Sequence, residues 1–450
     1  SFGDIYNYIK ENIFNNKDFE NNLMSIGFWP GGDRDGNPFV TPEITLQVAD
    51  RLKQTIVKNY YKDVRELKRR LTFKGVEEKI NAIQDKLYLV IFEKDKDYNF
   101  SSQNLINDLL KIKQLIVKEH QSLYLNLVDS LINKVKLFGS HFATMDIRQD
   151  SRVHNNVFNE IVKSSIKNKL GPFPNNYFEL IETEQIQILS KVKGSIDLSN
   201  FSDKLVLNTL NTIKAIKKIQ NSNGEKAANR YIISNNKTAL NVMQLYAMLK
   251  LVAFDEVLTI DICPLFETIE DLENASDVMK TLYTNPTYLA HLRSRRLKQN
   301  IMLGFSDGTK DGGYLMANWA IYKAKQMLTS ISRKYKVDVI FFDGRGGPPA
   351  RGGGKTHKFY ASLGPSIESK EVQLTVQGQT ISSNFGTLDS SKYNIEQLMS
   401  SGILNKLNET DLTISNDCHE TMDNLSKISY EAYVNFKNHP KFLPYLEHMS

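Results

Sequence analysis

The chain has 450 residues, 41% hydrophobic and 24% charged, with 57 Lys and Arg against 51 Asp and Glu. That balance describes an ordinary globular protein and excludes disorder, a collagen-like chain and a bundle of membrane spans, because no stretch approaches roughly 18 uninterrupted apolar residues. A net charge of +6 diluted over so many ionised side chains is poor ground for a nucleic-acid or membrane partner. Two cysteines, Cys263 and Cys418, cannot build a disulfide framework, which points to a reducing compartment. Ser1 is not an initiator Met, and a helix-like segment runs up to Ser450, so a piece of a longer chain is expected.

In chain order, Trp29 precedes a turn-forming stretch, Gly31-Gly32-Asp33-Arg34-Asp35-Gly36-Asn37-Pro38. Helical periodicity then fills 44–95 and 101–138, the second run ending at Gly139. It returns at 205–222, 313–335 and 420–437. Between these lie short runs rich in β-branched and aromatic residues: Phe142–Ile147, Tyr231–Ser234, Val257–Cys263, Ile301–Phe305 and Val337–Phe342. Val372–Val376 and Gln379–Ser382 around Gly378 read as a hairpin. Strands alternating with helices predict a helix-rich α/β fold with a parallel sheet or barrel. No linker divides the chain, so 1–450 reads as one large region.

The residues just past the strands carry the chemistry. The first strand runs into Arg148, the third into Glu267, the fourth into Asp307 and Lys310, and the fifth into Asp343 and the loop 344–354. In α/β barrels the carboxyl ends of the strands bear the reacting groups. Glu267 and Asp307, with Lys310 and three arginines collected there, predict an anion site that also holds a metal.

The loop has six glycines (Gly344, Gly346, Gly347, Gly352, Gly353, Gly354) and two arginines (Arg345, Arg351) in eleven residues. Glycine lets backbone N–H groups approach a phosphate, and Arg supplies paired donors. A nucleotide-binding P-loop is excluded, since its first glycine would fall at Pro349. An RNA-binding Gly-Arg tail is the rival reading, disfavoured by the apolar strand before the loop and the helix-like segment after it. The 31–38 stretch fails as a calcium loop, with Pro38 and Ile44 where Gly and Glu are required. Its plainer reading has Asp and Asn capping turns and pairing with Arg34. Of the eight histidines, only His357 lies near the proposed site, and none shows zinc-like spacing.

Taken in order, Gly27–Pro38, Met145–Ser151, Tyr231–Ser234, Pro264–Thr268, Gly304–Asp307 with Lys310-Asp311, Gly344–Gly354 and Thr375–Gly378 resemble phosphoenolpyruvate carboxylase. The resemblance implies a helix-rich (β/α)8-barrel-type fold, incomplete in this chain. It also implies a cytoplasmic enzyme joining phosphoenolpyruvate and bicarbonate to give oxaloacetate and phosphate, with Mg²⁺ or Mn²⁺, in a homotetramer when full length and without a nucleic-acid or membrane partner. By motif, Glu267 and Asp307 correspond to metal ligands. Arg148, Arg345 and Arg351 correspond to groups holding phosphate and carboxyphosphate, with Lys310 beside the enolate oxygen. Trp29, Leu265 and Met302 correspond to the pocket around the substrate methylene, and Gly344, Gly346, Gly347, Gly352 and Gly353 to the loop around the phosphate. The expected sequence is attack of bicarbonate on phosphorus, release of enolate and carboxyphosphate, and capture of CO₂ by the enolate carbon.

Two departures stand out. The family usually has His where Asp343 stands; an ionised Asp would repel bicarbonate, so pairing of Asp343 with a loop arginine is expected. The chain also matches only about the middle half of a typical member, without the amino-terminal Thr-Ala-His-Pro-Thr-Glu segment or the carboxyl-terminal third. Weak or no turnover is therefore expected of these 450 residues alone.

Overall fold

The computed structural model describes residues 2–15, 17, 19, 23–93, 100–169, 171–254, 257–344, 355–407 and 414–449. In chain order the elements begin with α1 (Phe2–Asn12), β1 (Gly27–Phe28), α2 (Pro42–Lys68), α3 (Glu77–Phe92), α4 (Ser102–Glu119), α5 (Leu125–Phe138), β2 (Thr144–Asp150), α6 (Ser151–Lys167) and α7 (Glu182–Leu189). Next come α8 (Lys204–Asn223), β3 (Arg230–Ser234), α9 (Ala239–Val252), β4 (Asp261–Phe266), α10 (Ile269–Thr284), α11 (Pro286–Ser294), β5 (Lys298–Leu303) and α12 (Phe305–Gly312). The rest are α13 (Tyr314–Lys334), β6 (Asp338–Asp343), α14 (Thr356–Ala361), β7 (Val372–Leu374), α15 (Gln379–Phe385), α16 (Leu388–Leu407), α17 (Asn416–Lys437) and α18 (Phe442–Met449). The strands are parallel and follow one another in chain order in a seven-stranded sheet, as the alternation of elements predicts and as the incomplete barrel implied by the resemblance requires.

Two compact units make up the chain: residues 1–147 with 201–230, and residues 148–200 with 231–450. In the first, α2 to α5 bury their apolar faces together. Val57, Tyr60 and Val64 meet Ile80, Ile83 and Leu87, with Leu109, Ile112, Val128 and Leu131 completing the cluster. Start signals are local: Thr41 caps α2 through the Ile44 N–H with Pro42 in the first turn, and Ser101 caps α4 through the Asn104 N–H. The long periodic runs prove to be pairs of helices. The 44–95 run breaks around Gly75 (φ 80°), and 101–138 breaks where Gln121, Ser122 and Tyr124 take positive φ. Apolar spacing continues across both breaks because each successor helix buries its own stripe, so periodicity alone does not reveal them.

In the second unit strands and helices alternate. Thr238 and Thr268 form capping boxes with Asn241 and Asp271, and Asn285 caps α11. Register is continuous: Leu265 lies opposite Met302, Met302 opposite Phe342, and Phe342 opposite Gln373. Several expected bounds shift, Phe142–Ile147 to Thr144–Asp150 and Val337–Phe342 to Asp338–Asp343 among them. The strand expected at Val257–Cys263 lies at Asp261–Phe266, and the one expected at Ile301–Phe305 ends at Leu303, because pairing with the neighbouring strand, not apolar content, sets the limits. The hairpin at 372–382 is not formed. Val372–Leu374 pairs parallel with β6, and Gly378, at φ 55°, starts α15 instead of turning a hairpin. Among the described residues no helix is long and apolar enough to cross a membrane.

Acid sensitivity arises at His291. Burial, then the charges of Arg295 and Lys250, push its imidazole down to about 3. The unfolded chain thus takes up a proton near pH 6.5 that the folded protein refuses. Stability is fully present above that pH and falls as pH drops toward 3. The urea midpoint of wild type should fall more between pH 7 and pH 4.5 than that of His291→Phe; equal falls would assign the sensitivity elsewhere.

Candidate active site

The site is built where β4, β5 and β6 end. Past β4, Thr268 and Asp271 exchange hydrogen bonds: Thr268 Oγ1 accepts from the Asp271 N–H at 3.1 Å, and Asp271 Oδ2 from the Thr268 N–H at 3.0 Å. This pins the backbone on which Glu267 stands. The Glu267 carboxylate is aimed by a second strand end, since its Oε2 accepts the Asn235 N–H at 2.6 Å. Asn235 lies just past β3 in a left-handed conformation (φ 52°), and its carbonyl accepts the Ser151 hydroxyl at 2.6 Å.

Glycine brings the next strand close. The Gly304 N–H donates to the Phe266 carbonyl at 2.9 Å, and a Cβ at 304 would lie 3.1 Å from Glu267 Cγ. One residue further, α12 begins, with Asp307 in its first turn where a carboxylate is favoured. Asp307 is half-exposed and 3.3 Å from the Lys310 ammonium, a solvated pair of little energetic weight that a divalent ion can displace. The Gly344 N–H donates to the Leu303 carbonyl at 2.9 Å, and a Cβ there would lie 3.4 Å from Met302 Cε. Glu267, Gly304 and Gly344 thus form a row across three strand ends, with Leu265 and Met302 buried opposite each other beneath it.

Successive residues of a strand face opposite sides of a sheet. Asp343 pairs with Leu303, one position out of step with Met302, and its side chain enters the helix layer. There the Lys325 ammonium of α13 lies 2.8 Å from both carboxylate oxygens, and the Tyr360 hydroxyl of α14 donates to Oδ2 at 2.8 Å. Among the described residues the partners of Asp343 are thus a lysine and a tyrosine from the layer beneath the strand, and the loop arginines of the expected pairing lie outside the described residues. Lys325 and Asp343 are 1% and 0% exposed.

Arg148 stands half-buried on β2, two residues before its end. Trp29, in the first unit, is half-buried with its indole N–H donated to Asp146 Oδ2 at 2.9 Å. Asp146 is also held by Arg230, at 2.7 and 2.9 Å. In the loop beyond, Asp33 and Asn37 cap turns as expected, whereas Arg34 is buried, donating to the carbonyls of Val40 and Asn208 and to Thr212 Oγ1. Arg345, Gly346, Gly347, Arg351, Gly352 and Gly353 lie outside the described residues.

Glu267 and Asp307 offer hard oxygen donors from adjacent strand ends. Among the described residues no group of three or more His, Cys, Asp or Glu forms a closed metal cage. Two carboxylates on an open face match Mg²⁺ or Mn²⁺, which keep waters and take further ligands from a phosphorylated substrate, and do not match a structural zinc. Sequence reasoning missed Asn235, Lys325 and Tyr360. Lys325 carried a signal: four residues after Ile321 and three before Leu328, it falls on the buried stripe of α13.

The family model described as phosphoenolpyruvate carboxylase matches residues 3–93 and 75–450. A protein of Nitrosomonas eutropha named phosphoenolpyruvate carboxylase is 30% identical over 464 residues, covering 91% of this chain and 49% of its own. One of the same name from Nitrosomonas europaea is 30% identical over 462 residues with the same coverage. The chain spans about half the length of the curated relatives it matches.

Proposed function

The chain belongs to the phosphoenolpyruvate carboxylase family, and from that premise we propose that it carries a large part of a site where phosphoenolpyruvate and bicarbonate become oxaloacetate and phosphate. The observation that supports this reading best is the row of strand ends that sets Glu267 beside Gly304, one helical turn from Asp307, over the apolar floor of Leu265 and Met302.

Glu267 and Asp307 would hold Mg²⁺ or Mn²⁺. When bound, the ion supplies positive charge where the enolate oxygen develops. The protein's own groups do the rest. Lys310, on an exposed stem, swings from Asp307 toward the same oxygen and neutralises it. Arg148, with Arg345 and Arg351 of the Gly-Arg loop, holds the transferred phosphoryl group by paired hydrogen bonds. Leu265 and Met302 seat the methylene and keep water from a carbon that would otherwise be protonated to pyruvate. The same reading assigns the reaction to the cytoplasm and to a homo-oligomer of full-length chains.

Titration calorimetry of phosphoenolpyruvate into the 450-residue chain tests this. Binding is expected with Mn²⁺ present and not without it, and Asp307→Asn should abolish the Mn²⁺-dependent heat. Equal binding by wild type and Asp307→Asn would sink the assignment.

A further inference from the structure

Glu267 and Asp307 hang from different strand–helix connections, so an ion that needs both needs their separation set in advance. One side chain spans the two connections. Asp311, near the end of α12, accepts the N–H of Ile269, the first residue of α10, on its Oδ2 at 3.0 Å. The segment bearing Glu267 is thereby tied to the helix bearing Asp307.

Helix α17 grips that joint from outside. Lys437 donates to the carbonyls of Asp311 at 2.9 Å and Lys310 at 3.3 Å, and lies 3.9 Å from the Asp311 carboxylate. Tyr433 donates its hydroxyl to the Lys310 carbonyl at 2.9 Å. These carbonyls belong to the last turn of an eight-residue helix, where no intrahelical partner is available and a cation is favoured. Gly313, at φ 78°, lets the Tyr433 ring lie against the main chain; a Cβ there would be 3.0 Å from Tyr433 Cγ. Helix α17 is anchored independently, since Asp423 accepts from Trp319 Nε1 and Lys323 Nζ of α13, each at 2.7 Å.

We propose that Asp311, Lys437 and Tyr433 are positioning residues. Helix α17 holds α12 by its carboxyl-terminal carbonyls, and Asp311 transmits that constraint to the Glu267 segment, so that the two carboxylates stand at the spacing a divalent ion requires. This rests on the reading of Glu267 and Asp307 as the metal pair.

The test is Mn²⁺ affinity of the 450-residue chain with phosphoenolpyruvate present, read from the electron paramagnetic resonance of free Mn²⁺, alongside each variant's urea midpoint. Lys437→Met and Asp311→Ala should each weaken Mn²⁺ by roughly 10-fold, as loss of groups that orient metal ligands does. Tyr433→Phe should weaken it less. Asp311→Asn, whose amide oxygen still accepts the Ile269 N–H, should restore most of the affinity lost in Asp311→Ala. The midpoint of Lys437→Met should hardly move, because its ion pair is solvated and Asp423 still anchors the helix. Unchanged Mn²⁺ affinity in Lys437→Met and Asp311→Ala, with Asp307→Asn still abolishing binding, overturns this inference alone. So does a loss of affinity that merely tracks the loss of stability, equal in Asp311→Asn and Asp311→Ala. Mn²⁺ bound equally well by Asp307→Asn, or not bound by wild type, overturns both this inference and the site reading beneath it.

Discussion

Lys325→Met should lower the unfolding free energy of the second unit by about 3–5 kcal/mol, because it leaves the fully buried Asp343 carboxylate without its countercharge. The pair is sealed: Lys325 is 1% exposed and Asp343 0%. The ammonium also lies 5.3 Å from the Phe341 ring centre and 5.5 Å from that of Phe359. Removing both charges should cost far less than removing one, since two apolar side chains of similar volume escape the desolvation penalty. Urea unfolding of Lys325→Met, Asp343→Leu and the double variant measures this directly. A double variant as unstable as Lys325→Met would mean that the cost lies in packing. Tyr360→Phe, which removes one of the donors to Asp343, should cost about 1 kcal/mol.

Asp146→Ala should destabilise the first unit by a comparable amount, about 3–5 kcal/mol. Asp146 is 1% exposed on its side chain and receives three hydrogen bonds, two from Arg230 and one from the Trp29 indole. Its loss takes a bidentate carboxylate away from the Arg230 guanidinium, itself only 12% exposed. Trp29 reports the change. The chain has two tryptophans, and in a Trp319→Phe background the remaining emission belongs to Trp29. Asp146→Ala should shift that emission in the native state as well as lowering the urea midpoint. An unshifted native spectrum would show that the indole is held by its packing alone.

Much of this architecture is legible in the residues. The stripe of Leu105, Leu109, Ile112 and Ile116 announces a helix buried on one face, and all four are buried in α4. The turn after β4 can be read from Thr268 and Asp271, whose reciprocal bond involves residues three apart. The position of Glu267 and Asp307 just beyond apolar strands puts both at the carboxyl end of the sheet without any knowledge of pairing. Where the reading slips, the deciding contact is not local. Gln379–Ser382 has strand-like composition only if Val372–Leu374 turns back on it, and β6 claims that strand instead.

Sequence by itself determined the alternation of strand and helix, the order of the motifs and which strand ends carry carboxylates. Those properties arise from side-chain periodicity and from bonds that span a few residues. Tertiary structure alone decided where the carboxylates point. The Asn235 N–H reaches Glu267 across 32 residues, Lys325 reaches Asp343 across 18, and Trp29 reaches Asp146 across 117. Asp343 and Met302 both lie near strand ends, yet the pleat and the pairing of Leu303 with Asp343 send one to the helix layer and leave the other beneath the site. Register makes that choice, and a register is a property of two strands at once, which neither strand's residues specify alone.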